Sequence, residues 1–280
     1  MGNSTILSKL LSTSYSALFF IFLYAPVILI VLYSFNANPI NIMIWDGFTL
    51  DWYKTIFGMS TELSSNSAYV DSTGQLLNAL VNSLIVALSA TVISTLLGTS
   101  AALSIARYRF KLQPFYRLLM YTPMVMPDIV LGIALLIFFV GIGISLGTTT
   151  IIIGHCTFLT SYVFVVVSAR LAGMNPVLED ASADLGANEW QTFKRITLPL
   201  ILPGIVGGAL LSFIISMDDL VITYFISGVD STTLPVFILS MIRRGVKPEI
   251  NAIATLMLLF SIIIATAGIY FRSKNAPSSK

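Results

Sequence analysis

Asn175–Pro199 reads NPVLEDASADLGANEWQTFKRITLP, and the rest of the chain is arranged around it. It is the longest strongly polar run between apolar segments in the second half. Glu179, Asp180, Asp184, Glu189, Lys194 and Arg195 crowd into it, in a chain otherwise poor in charge. The pattern predicts two short helices meeting at a glycine corner. Asn175 is placed to cap the first, with Pro176 at its first position. Glu179 and Asp180 fall where the helix dipole favours anions. Gly186 takes the left-handed conformation that ends it. Asn188 then caps a second helix, with Gln191 as capping-box partner, and that helix is expected to end at Lys194 and Arg195. Val177, Leu178, Ala181 and Leu185 give the first helix an apolar stripe. Such an elbow either folds back on its own bundle or docks into a partner, and the pattern leaves both open.

The segments around the elbow are those of a membrane protein. Of 280 residues, 56% are hydrophobic and only 10% charged, against about 25% charged in soluble domains. A single Cys156 rules out an internal disulfide, and one His155 beside it leaves no Cys/His metal cluster; the pair reads as filler within a span. The first apolar run is too long for a cleaved signal and lacks a small-residue cleavage site, so it is expected to stay as a span. There is no Walker A run, dinucleotide fingerprint or fixed-period repeat. Any ATP hydrolysis that drives this chain therefore belongs to another subunit. No nucleophile–base pair points to an enzyme.

A span takes about 20 mostly apolar residues. Six are expected in an all-α, polytopic fold, at 15–35, 78–105, 118–140, 149–169, 201–226 and 251–271, within one membrane domain covering 1–280. Pro26 is expected to kink the first. Gly98 with Ala102, and Gly204 with Gly208, are small-residue pairs suited to close helix packing. With a cytoplasmic N-terminus, 11 of the 15 Lys and Arg residues lie inside. The positive-inside rule thus places both termini and the elbow in the cytoplasm. Asn36–Leu77 is then an outer loop. Trp45, Trp52 and Tyr53 within it read either as an interfacial aromatic belt or as a docking surface for a soluble partner.

Three acids fall inside predicted spans: Asp128, Asp218 and Asp219. Each costs about 2.5–3.5 kcal/mol to insert and is a functional candidate by default. No Lys or Arg lies within those spans, so the acids create a negative potential suited to a cationic solute, above all an elongated one with several ammonium groups. Alternatively each accepts local hydrogen bonds or caps a broken half-helix. Asp218 and Asp219 sit about 100° apart round a helix and are expected to face different ways. Tyr121, Tyr162, Tyr224, Phe158 and Phe225 offer aromatic faces to ammonium groups, with Tyr224 taken as the substrate-path aromatic.

These residues carry a resemblance. Asp180-Ala181-Ser182, then Gly186, then Ile196, Leu198 and Pro199 match the spacing of the EAA loop of ABC importer permeases, with Asp180 and Ser182 in place of the usual Glu and second Ala. Pro127-Asp128-Ile129-Val130, Ser216-Met217-Asp218-Asp219, Gly47-Phe48-Thr49 ahead of Trp52-Tyr53, and Gly245–Ala252 are similar to the C-type permease subunit of spermidine/putrescine importers. The similarity runs from about Tyr15 to the sixth span. The insert Thr61–Thr73 is longer than the family pattern.

The resemblance implies a type I importer permease of the bacterial inner membrane, working by alternating access. It implies a second permease as heterodimer partner, two cytoplasmic ATPase copies that bind the ATP, and an extracytoplasmic binding protein. The chain itself would hold no cofactor or metal and bind no nucleic acid, with lipid as its surround. Asp180, Ala181, Asp184, Gly186, Ala187 and Pro199 are implied in ATPase coupling. The rivals are a permease of the same architecture for ferric iron, an opine or a phosphonate, and a proton-coupled secondary transporter using the acids as proton sites.

Overall fold

The computed structural model describes residues 2–39, 44–59, 61, 73–175, 177–244, 250–259, 262, 263 and 266. Most of the Thr61–Thr73 insert, Gly245–Glu249 and the basic tail lie outside them. The described residues are helical apart from turns, loops and one isolated antiparallel bridge, Asn36 with Phe48. Four helices are long and apolar enough to cross a membrane: Leu11–Tyr33, Gly74–Arg107, Thr148–Ala172 and Glu189–Asp218. Gln113–Val125 and Asp128–Gly141 make a fifth if the bent pair is one span, and the apolar helix Ile250–Leu259 begins the expected sixth. Six spans are compatible with this.

The contacts divide the chain into two compact units, Met1–Gly74 with Ser240–Lys280, and Gln75–Leu239. The first unit opens with α1 (Gly2–Tyr33), which runs helically through Pro26. The chain then turns back along itself. Thr49 N–H donates to Phe35 O (2.8 Å) and Ala37 N–H to Gly47 O (3.0 Å). This fold-back carries α2 (Asp51–Ile56). Asn36 organises it: its side-chain oxygen accepts from the N–H groups of Asn38 and Asp46 (both 3.2 Å), and its amide donates to Ile44 O (2.7 Å).

In the second unit, α6 (Thr148–Ala172) is the hub. Its buried residues recur from Thr150 to Val167, on more than one face, as in a largely enclosed helix. Two partners approach its backbone closely. α3 (Thr73–Arg107) does so at Gly98, where a methyl group would stand 2.7 Å from Thr160 O and from Val163 Cβ. α9 (Leu198–Asp218) does so at Gly204 and Gly208. Both small-residue pairs thus lie at helix crossings. Ala102, Ile105, Val163, Phe164 and Val167 close one cluster, and a second gathers Val86, Ala90, Leu131, Phe139, Ile151 and Leu159.

Two expected spans are not single helices. The run 118–140 is split into α4 (Gln113–Val125) and α5 (Asp128–Gly141), which meet at 109°. Pro127 forces this. It disfavours helical backbone at Met126, whose ψ is 135°, and it has no N–H to continue the ladder. The run 201–226 is likewise split, into α9 and α10 (Val221–Ile226), with extended backbone at Asp219 (ψ 119°). α5 packs on α10 at Gly132, where a methyl group would meet Phe225 at 2.8 Å. α11 (Leu234–Arg244) follows α10.

The elbow agrees with its sequence reading at the corner and departs from it at the end. α7 (Val177–Asp184) is followed by Gly186 at φ +82°, then by α8 (Glu189–Thr192). Asn188 and Gln191 form the reciprocal capping box, at 2.8 and 3.0 Å. Asn175 Oδ1 accepts from Val177 N–H (3.1 Å), as a helix-entry cap does; Pro176 lies outside the described residues. The second helix does not end at Lys194 and Arg195. It passes through a π turn, Phe193–Thr197, straight into α9. Pro199 accounts for the π turn: it has no N–H to give the carbonyl four residues back, and its ring would crowd that carbonyl. Glu189–Asp218 is therefore one rod of 30 residues joining elbow to span.

Candidate functional site

The three predicted acids come together. Asp128 is the first residue of α5, Asp218 the last of α9, and Asp219 sits in the break before α10. All three border one cleft of about 300 Å³, with Pro123, Met124, Phe158, Tyr162 and Ile215 among its other walls. Among the described residues, those lining it include no lysine or arginine. Both chain breaks feed it. At a break the backbone polar groups lose their helical partners, which is tolerated at membrane depth only where protein or a cavity receives them.

The acids are not equivalent. Asp128 and Asp218 are exposed. The Asp219 side chain is only 9% exposed. Its Oδ2 accepts from Thr223 N–H (2.8 Å) and from Thr223 Oγ1 (2.7 Å), and faces His155 Nε2 at 3.2 Å. Asp219 thus closes the first turn of α10 as a side-chain cap does.

His155 was expected to be filler and is instead a junction. It is 0% exposed, on α6, and its ring bonds to both halves of the broken span. Nδ1 lies 2.7 Å from Ser216 Oγ on α9, and Nε2 lies 2.9 Å from Thr223 Oγ1 on α10. One tautomer satisfies every group. Ser216 O–H donates to Nδ1, Nε2–H donates to Asp219 and Thr223, and Thr223 O–H donates to Asp219. Cys156, next to it, is half-buried against Ala90 O at 3.9 Å and takes no part.

Tyr224 is on α10 with its ring edge-on to Phe225 (5.8 Å), half exposed, and it is not among the walls of the cleft. Of the five aromatics expected from the sequence, Phe158 and Tyr162 line the cleft.

The elbow presents a surface outward. Asp180, Ala181, Asp184 and Gly186 are exposed, as is Pro199 on the first turn of α9; Ala187 is half-buried, its N–H on Ser182 O (3.1 Å). The apolar stripe is exposed too: Val177 60%, Leu178 45% and Leu185 89%. Trp190 stands beside it, stacked on Phe193 (5.7 Å). Within the described residues the elbow does not fold its apolar stripe back onto its own bundle. What faces inward is Ser182, whose hydroxyl pairs with Thr192 Oγ1 (2.9 Å) and ties α7 to α8. The serine that departs from the EAA pattern thus has a local partner.

A second tie joins the elbow to the spans. Glu179 Oε1 accepts from both Arg107 Nη2 and Thr197 Oγ1, and Arg107 Nη2 also donates to Thr197 Oγ1 (2.8 Å). This closed triangle links the end of α3, the first turn of α7 and the π turn. The sequence reading used Glu179 only as a dipole-favoured anion.

In the loop after α1, Trp52 offers no docking surface. It is 0% exposed, with Nε1–H donating to Asn36 O (2.7 Å), so it anchors the fold-back. Tyr53 shares a hydrogen bond with Ser34 Oγ (2.6 Å) and packs on Phe35. Trp45 is half exposed.

Comparison with known proteins gives consistent matches. A family model described as the binding-protein-dependent transport system inner membrane component matches residues 94–273. The spermidine/putrescine transport system permease protein PotC of Escherichia coli (strain K12) is 35% identical over 262 residues, 94% of each chain. The putrescine transport system permease protein PotI of the same strain is 40% identical over 246 residues, 85% of this chain and 82% of that one. A crystal structure of a bacterial alginate ABC transporter, in complex with its alginate pentasaccharide-bound periplasmic protein, has the same fold. It matches with a TM-score of 0.65 at 19% identity over 96% of this chain and 92% of that chain.

Proposed function

The chain belongs to the family of binding-protein-dependent transport system inner membrane components, and we propose that it is the permease subunit of an ATP-driven importer of polyamines. The observation that carries the solute class is the cleft. Two exposed carboxylates, Asp128 and Asp218, stand in it beside Phe158 and Tyr162. Carboxylates with aromatic faces and no fixed cation attract ammonium groups, by charge and by cation–π contact. An anionic solute such as a phosphonate would meet repulsion there. The names of the relatives point the same way.

The rest of the assembly is read from the elbow and the charge pattern. The exposed stripe of Val177, Leu178 and Leu185 is the surface that a cytoplasmic ATPase would cover, with one ATPase copy for this chain and one for a second permease. ATP binding would displace α7, and the rod from Glu189 to Asp218 would carry that displacement to the break at Asp219. The elbow transmits work and does no chemistry; nucleotide is held by the ATPase. Both termini lie in the cytoplasm on this reading, and the outer loop with Trp45 meets the extracytoplasmic binding protein.

The test is uptake of labelled putrescine and spermidine in cells lacking their own polyamine importers, supplied with this chain and its partner subunits, against a control lacking only this chain. Uptake that depends on the chain and is blocked by unlabelled polyamines is expected. Absence of uptake, with the assembled complex present in the membrane, would overturn the solute assignment.

A further inference from the structure

The pair Asp218–Asp219 splits its duties, and His155 is what splits them. Asp218 ends α9 and is exposed in the cleft. Asp219 is nearly enclosed, and its Oδ2 receives three donors, from Thr223 N, Thr223 Oγ1 and His155 Nε2. Oδ2 is therefore spent on the wall, and the carboxylate is held in place, because turning it toward a passing cation would strand those donors. The histidine makes the arrangement hard to reverse. Its ring is fully buried and is held on the other side by Ser216 (2.7 Å). It therefore bridges α6 to both halves of the broken span.

We propose that His155 is a positioning residue that commits Asp219 to the wall of the cleft, so that Asp218 and Asp128 alone face the transported solute. The inference rests on the cationic-solute reading above. Its consequence is a limit on the charge the cleft displays. Removing His155 frees Asp219, adds a third carboxylate to the path, and shifts preference toward the more highly charged amine.

The test is uptake kinetics of the full assembled transporter with putrescine and spermidine, with membrane levels of each variant measured in parallel. Asp218→Asn is expected to raise KM for both amines about tenfold, the loss of one partly solvated charge-assisted bond. Asp219→Asn is expected to lower the maximal rate with KM within twofold of the native value. His155→Ala is expected to lower the spermidine KM relative to putrescine at least threefold, and adding Asp219→Asn should cancel that shift. His155→Gln, which keeps an N–H for Asp219, should restore the native KM ratio. Equal rises in KM for Asp218→Asn and Asp219→Asn would overturn the proposal. So would an unshifted KM ratio in His155→Ala. If Asp219→Asn never reaches the membrane, the His155→Ala and His155→Gln ratios decide alone. If neither acid variant changes KM while uptake persists, the cationic-solute reading fails first, and this inference falls with it.

Discussion

At the scale of single residues, sequence position and spatial role diverge most where partners are remote. Trp52 has the sequence context of an exposed loop aromatic, beside Tyr53 and after Trp45. Its buried indole on Asn36 O makes it the anchor of the fold-back after α1. Trp52→Ala is therefore expected to cost about 3–5 kcal/mol locally, from lost burial and an orphaned carbonyl. A lower unfolding temperature of the purified complex would register it, whereas a native melting curve would show that the loop does not depend on the indole. His155 was illegible for the same reason. Its partners Ser216, Asp219 and Thr223 stand 61, 64 and 68 residues away, and nothing local to a lone histidine in an apolar run announces them. The acids were legible because a charge in a span is costly wherever it lies. Their inequality was legible only in part: helical geometry separates Asp218 from Asp219, but the break in the helix decides which one is buried.

At the scale of elements, the capping box, the glycine corner and the helix-crossing glycines were readable because each depends on residues a few positions apart. The joints were harder. Pro127 stood in plain view, yet hydropathy merges α4 and α5 into one apolar run although their backbones meet at 109°. The break at Asp219 has no proline at all; a side-chain cap holds it. The continuous rod from elbow to span likewise escaped a reading that stopped the helix at its basic residues. Coupling should fail at two different points in the elbow. Gly186 sits at φ +82°, where a side chain costs about 1–2 kcal/mol although open space surrounds it. Gly186→Val is expected to abolish uptake with the protein still in the membrane, by tilting α7 against α8. Glu179→Gln removes the charge from the triangle with Arg107 and Thr197. Discounted for solvent exposure, that tie is worth about 1 kcal/mol, so uptake per ATP hydrolysed should fall about fivefold. Exchanging the pair, Arg107→Glu with Glu179→Arg, should recover part of it. A coupling ratio untouched by Glu179→Gln would show that the triangle merely decorates the elbow.

At the scale of the whole molecule, a chain with no nucleotide-binding motif has to borrow its energy and deliver it to a solute path. On the proposed reading the second unit supplies both: an exposed elbow, a rod leading from it, and a broken span at the rod's end where three acids border one cleft. The membrane class was legible from hydropathy and the scarcity of charge, since both are sums over long stretches; the described helices give four or five spans, compatible with the six expected. The cleft was not, because it is assembled from two helix breaks and α6. The most direct test of ATP-driven import of a cationic amine uses the purified complete transporter, reconstituted in proteoliposomes with its binding protein on the binding-protein side and ATP on the ATPase side. Labelled putrescine uptake is then followed over time. The expected result is accumulation above the external concentration that needs ATP hydrolysis and drops about tenfold in Asp218→Asn at sub-saturating putrescine. Accumulation driven by a proton gradient without ATP, or ATP-driven uptake indifferent to both Asp128→Asn and Asp218→Asn, would contradict it.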